Sequence, residues 1–178
     1  MATYISLLRG INVSGHKPVK MEALRKMYED LGYKNVLTYL QSGNVVFTAK
    51  GNERKLEQKI SQQIEKDFGF EVPVIVLTKE KLKQVIDNNP FLKKDTAFLH
   101  VTYLSAKPGT FDPKMIEVKK GNGEEISFSD DVIYLFCPNG YGVTKLSNSF
   151  LENKLKVTAT TRNWKSTNEI FKIAEQIP

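Results

Sequence analysis

Four short polar stretches hold the residue types that could recognise an anion or a small polar ligand. The first is LRGINVSGHKPVK, residues 8 to 20, where Arg9, Lys17 and Lys20 supply positive charge and Asn12 a neutral donor. Its Gly10 and Gly15 would let backbone N–H groups close on an oxyanion. The spacing fits neither the P-loop nor the dinucleotide-binding fingerprint. Such glycines equally serve a loop that needs left-handed backbone angles, so a phosphate cradle and a purely structural loop both stand. The second stretch, Gln41-Ser42-Gly43-Asn44, reads as a turn whose Gln41, Ser42 and Asn44 could hydrogen-bond a small polar ligand. In the third, Lys145, Ser147 and Asn148 open a helical stretch, and a helix N-terminus attracts anions. The fourth holds Arg162, Asn163 and Trp164. If the strand continues with period 2, residues 162 and 164 share a face and set a guanidinium beside an indole. That pair could clamp a base or sugar, or make a cation–π contact within the packing.

Other chemistries find no support. No paired carboxylates, metal-ligand spacing or Ser-His-Asp order stands out, and Asp130-Asp131 reads as a hairpin turn, so neither a metal nor a cofactor is expected. Whether a reaction is catalysed is left open. The single cysteine, Cys137, can form no internal disulfide and ends a strand, where a buried thiol is expected. His100 shares a strand face with Phe98 and Thr102 and reads as a partly exposed structural histidine. The net charge of +6, from 26 basic and 20 acidic residues, tilts partners toward anions without the clustering of dedicated nucleic-acid binders. No apolar run approaches the roughly 20 residues needed to cross a bilayer, and the N-terminus lacks signal-peptide features. The expectation is a cytoplasmic protein with no membrane partner.

The elements that must position these residues follow from periodicity. Residues 3 to 8 form a buried strand; Met21, Leu24, Met27, Tyr28 and Leu31 give a helix ending at Gly32. Residues 36 to 49 are a hairpin, Leu56, Ile60, Ile64 and Phe68 a helix between Asn52 and Gly69, and residues 72 to 78 a strand. A helix capped by Thr78 follows, running over residues 79 to 90. The succession then repeats: strand 98 to 105, a short helix after Asp112-Pro113, hairpin 124 to 138, helix 145 to 156, strand TATTRN and a last helix. Ser149 and Glu152 have the spacing of a capping box, and Ser166 with Glu169 caps the last helix. The fold class is α+β: two tandem ferredoxin-like βαββαβ units, each an antiparallel sheet with helices on one face, plus trailing helices. The expected boundaries are 1–78 for the first unit, 79–96 for a linking helix and 97–178 for the second unit. No residue-level repeat accompanies this, so the duplication rests on element order. Strand directions bring Arg9 to Lys20 and Gln41 to Asn44 to one sheet end, and Lys145 to Asn148 and Arg162 to Trp164 to one end of the other.

RGINVSG, YLQSGNVVF, KLSNSFLE and TATTRNW, in this order across nearly the whole chain, resemble the bacterial domain-of-unknown-function family 1697 (DUF1697). The resemblance implies a cytosolic bacterial α+β protein without an established activity, in which these segments are the hallmarks. Ser14-Gly15 stands where similar members carry Gly-Gly, and His16 where they carry a basic or polar residue, which argues against His16 as an obligatory catalyst. The expected function is binding of a phosphorylated small molecule or nucleotide in a cleft lined by the RGINVSG, QSGN, KLSN and TRNW segments. One alternative is RNA or single-stranded nucleic-acid binding through a sheet face, with Tyr39 and Phe47 in the hairpin strands but no RNP signature. Another is a protein-interaction or homodimeric module without a ligand; the oligomeric state is left open.

Overall fold

In the computed structural model, which describes residues 1–178, the apolar runs become strands and the apolar stripes become helices. The first half runs β1 (Ala2–Leu8), α1 (Met21–Asp30), β2 (Lys34–Tyr39), β3 (Asn44–Ala49), α2 (Glu53–Phe68), β4 (Val74–Thr78) and α3 (Lys79–Asp87). The second runs β5 (Leu99–Leu104), α4 (Lys114–Glu117), β6 (Glu125–Ser129), β7 (Val132–Phe136), α5 (Asn148–Leu155), β8 (Ala159–Asn163) and α6 (Trp164–Glu175). The result is a mixed fold of six helices and two four-stranded antiparallel sheets, ordered β2-β3-β1-β4 and β6-β7-β5-β8.

The first sheet packs on α1 and α2 because both helices place apolar residues at helical spacing: Leu24, Met27 and Tyr28 on α1, Leu56, Ile60 and Ile64 on α2. These meet Tyr4, Leu8, Val45, Phe47 and Val76 of the sheet. Phe47 is the centre of an aromatic group, its ring 5.3 Å from Tyr28 and 4.9 Å from Tyr33. Burying side chains of this size contributes about 1.5–3 kcal/mol each. The Asn52 side chain accepts from Lys55 N at 3.0 Å to start α2, and Gly69 in the left-handed region ends it, as the sequence leads one to expect.

In the second unit Leu104, Ile133, Leu135 and Ala159 of the sheet pack with Ile116 of α4 and Leu151 and Leu155 of α5. The opposite face is hydrogen-bonded to residues of α3 and α6: Tyr134 OH donates to Val85 O at 2.8 Å, and the Tyr103 hydroxyl lies 3.1 Å from Thr167 Oγ1. Helical residues therefore lie on both faces of this sheet, not on one.

Two compact units result, Met1–Gln84 with Glu169–Pro178 and Val85–Asn168. The boundaries differ from the expected 1–78, 79–96 and 97–178 because α3 and α6 are each divided between the units. Neither helix is preceded by a loop that could hold a boundary. Thr78 ends β4 and its Oγ1 already accepts Lys81 N of α3 at 3.1 Å, while β8 passes at Asn163 straight into Trp164 of α6.

Two caps also differ. Ser147, not Ser149, starts α5, its Oγ accepting from Phe150 N at 3.3 Å; the Glu152 carboxylate instead receives Ala159 N at 3.0 Å. The apolar Phe150 lies in the place where a capping-box acid would mark Ser147. For α6 the cap is Asn163, whose Oδ1 accepts Ser166 N at 2.8 Å. Trp164 is consequently helical, and the period-2 argument that set it on a face with Arg162 stops at residue 163.

Candidate functional site

In the first unit β1 and β2 both run antiparallel to β3, so their C-terminal loops meet at one sheet end. Asn12 joins them. Its Nδ2 donates to Val19 O at 2.9 Å and to Gln41 O at 2.8 Å, while its Oδ1 accepts Val19 N at 2.8 Å. Lys17 O accepts Asn12 N at 3.0 Å, and Lys17 Nζ reaches Glu71 O at 2.6 Å. The buried Asn44 donates to Tyr39 O at 2.7 Å and to Ser42 Oγ at 3.0 Å. Gly43 is held between the loops: its O accepts Leu8 N at 2.9 Å, its φ is +84°, and a Cβ there would lie 2.7 Å from Ile11 Cδ1 and 2.8 Å from Leu8 Cβ. Arg9 is half-buried, with its N–H on Pro73 O at 3.0 Å. The side chains of Asn12, Lys17 and Asn44 thus bond to groups within their own unit and hold the loops together.

The polar end of the second unit is built around a hairpin register. Glu125 pairs with Phe136, so residues 119 to 124 arrive beside residues 137 to 145. Asn139 Nδ2 donates to Asn122 O at 2.7 Å and ties the two loops. Between them lies a pocket of about 230 Å³ lined by Lys119, Lys120 and Lys145 together with Gly121, Glu124, Asn139, Val118 and Val143. None of the three lysines takes part in an ion pair. Glu124, 5% exposed, is turned back on its own turn, where Oε1 accepts Gly121 N at 2.6 Å. Beneath it, burial and then the Glu124 charge push the Cys137 thiol up to about 12, so it stays protonated and unreactive.

Beside this pocket the KLSN and TRN segments meet. The Thr161 hydroxyl donates to Asn148 Oδ1 at 2.6 Å, which leaves Thr102, 2.7 Å away, to donate to Thr161 Oγ1. His100 stacks on Tyr141 with ring centroids 4.8 Å apart, and burial pulls its pKa below the ordinary histidine range. Arg162 is 8% exposed; its Nη1 donates to Thr160 Oγ1 at 2.8 Å and to Thr161 O at 3.0 Å. Burial lowers its pKa to about 10, and it remains charged at neutral pH. Asn163 faces solvent while capping α6, and the buried Trp164 lends its O to Asn168 Nδ2 at 2.8 Å.

Of the residues expected from sequence, the structure brings Asn12 to Gln41 in the first unit and Asn148 to the TRN strand in the second. Lys145 lines one pocket with Lys119 and Lys120, which were not among the expected site residues. Their signal was present: a dibasic pair running into the Gly121-Asn122-Gly123 turn. Nothing along the chain linked that pair to Lys145.

A family model described as "Protein of unknown function (DUF1697)" matches residues 1–134, a span ending before the KLSNSFLE and TATTRNW segments. No curated protein matches the chain. Among solved structures, the conserved bacterial protein SP0830 from Streptococcus pneumoniae is similar, with a TM-score of 0.76 and 24% sequence identity over 97% of this chain and 98% of that chain. At that identity the likeness speaks for the fold alone. No helix is long and apolar enough to cross a membrane.

Proposed function

Since the chain belongs to the DUF1697 family, whose description assigns no activity, its function has to come from its own geometry, and we propose that it binds a phosphorylated small molecule or nucleotide in the second unit's lysine pocket. The observation that carries this reading is the convergence of Lys119, Lys120 and Lys145 on one concavity without an ion-pair partner. Three lysines lining one concavity give it a local excess of positive charge, which a phosphate would neutralise. At about 4 Å a dianion gains about 2 kcal/mol from each ammonium in bulk water, and more where the pocket excludes solvent. Asn139 adds a polar wall, and the Glu124 carboxylate, turned onto Gly121 N, offsets part of the attraction of the three lysines.

Two further observations support this reading over its alternatives. RNA binding through a sheet face needs exposed aromatics, whereas Phe47 is buried, as are Ile5, Leu7 and Val46 across the first sheet. The shared strand order of the two sheets and the repeated βαββαβ succession support reading the chain as a duplicated ferredoxin-like unit whose two copies have elaborated different loops.

Calorimetric titration with inorganic phosphate, sugar phosphates and nucleotides tests the proposal. At least one should bind, and Lys119→Ala/Lys120→Ala/Lys145→Ala should abolish binding while stability stays within about 0.5 kcal/mol, as for exposed side chains without partners. Binding by no member of the panel, or undiminished binding by the triple variant, would sink it.

A further inference from the structure

The rim of the same pocket carries a second chemistry. Val118 and Val143 line it and are 73% and 70% exposed, the highest values among the large hydrophobic side chains. Met115, 54% exposed, precedes Val118 by three residues on the α4 turn and lies on the same side of it, while Ile116 between them is buried. Single exposed aliphatics are ordinary. Here, however, the two most exposed ones flank a pocket whose three lysines outnumber its one carboxylate, Glu124, and form no ion pair with it. The pocket is also small: about 230 Å³ falls below the roughly 300–1,000 Å³ of clefts that enclose most of a drug-sized ligand. It has room for a phosphate head, and the remainder of the ligand must lie outside, across the rim.

We infer that the ligand is a phosphate ester with an apolar body, its phosphate held by Lys119, Lys120 and Lys145 and its body laid over Val118 and Val143. This rests on the reading of the pocket as a phosphate site and adds the class of molecule it selects. Two sources offer that chemistry, a soluble ester and the head group of an anionic lipid at a bilayer surface. The second needs no membrane-spanning segment, since the pocket and its rim both open to solvent.

Titration of the full chain with methyl, butyl and hexyl phosphate at fixed ionic strength reads the inference directly. Affinity should rise along the series by about tenfold, the expected gain for removing two or more methylenes from water. Val118→Ser/Val143→Ser should flatten that rise; both side chains stand in solvent, so the variant folds. Equal affinities along the series, or a rise that survives the double variant, would overturn the inference while leaving phosphate binding intact. If neither the alkyl phosphates nor the sugar phosphates and nucleotides bind, both readings fall. Sedimentation with phosphatidylcholine vesicles, with and without phosphatidic acid, separates the sources. Binding that needs phosphatidic acid and is competed by hexyl phosphate supports a lipid head group. A retained chain-length series without vesicle binding supports a soluble ester.

Discussion

The loops after β1 and β2 in the first unit and those flanking the β6–β7 hairpin in the second draw on a similar stock of Asn, Ser, Lys and Gly, and they use it in opposite ways. In the first, Asn12 and Asn44 bond to backbone carbonyls of the two loops and Lys17 reaches the Glu71 carbonyl. The hydrogen-bonding capacity of these side chains is largely taken by the protein's own backbone, and for the buried Asn44 burial requires it. In the second, Asn139 does a similar tying job, but three lysines line a pocket whose one carboxylate, Glu124, is turned onto Gly121 N and pairs with none of them. The first unit's basic loop thus uses its polar side chains on its own backbone, whereas the second unit's lysines stay unpaired at a concavity.

The largest loss of stability is expected at Gly43. Gly43→Ala brings a Cβ within 2.7 Å of Ile11 Cδ1 and 2.8 Å of Leu8 Cβ at a φ of +84°, so about 3 kcal/mol or more should be lost in urea denaturation. Gly15→Ala, at φ +78° with nothing within 4 Å, should cost about 1 kcal/mol of backbone strain alone. Equal costs would mean that the two loops are not closed against each other. Next in size is Asn12→Ala, which removes three hydrogen bonds and should cost about 2 kcal/mol; Asn139→Ala, which removes one exposed bond, should cost about 1 kcal/mol or less by the same measurement. Asn139 costing as much as Asn12 would erase the distinction between a self-consumed loop and an open one.

The smallest expected effect is on the pH dependence of stability. Burial holds the folded-state pKa of His100 below its unfolded value, so above the unfolded value both states are neutral and its burial costs nothing extra. As the pH falls below the unfolded value of about 6.5 and through the folded one, the unfolded chain takes up the proton first and stability declines. His100→Phe should make the fall in Tm between about pH 7 and pH 5 shallower. An unchanged slope would mean that His100 titrates as a solvated side chain despite its stack on Tyr141.

Much of the frame was legible in local chemistry. Asn52, Gly69 and Thr78 bound their helices as their types suggest, and Asp130, at φ +48°, turns the β6–β7 hairpin. Strand direction alone was enough to predict that the loops after β1 and β2 meet, and the Asn12 to Gln41 bond joins them. Legibility failed where two local rules compete within a few residues. Ser147 and Ser149 can each cap a helix, and which one does so depends on Phe150 packing against the core while Glu152 is drawn to Ala159 N. Arg162 and Trp164 would share a face only if β8 continued, and the Asn163 cap ends it one residue too early.

By itself the sequence determined the strands, the helices and most of their ends, because periodicity and capping act over a handful of neighbouring residues. Only the tertiary structure decided where unpaired charge collects. The pairing of Glu125 with Phe136 sets residues 119 to 121 beside residues 139 to 145, and a slip of one residue would turn the strand's side chains to the opposite face and break the alignment. That register is held by Ile133 and Leu135 of β7 packing under α4 and α5, so the lysine pocket exists only once those helices have docked.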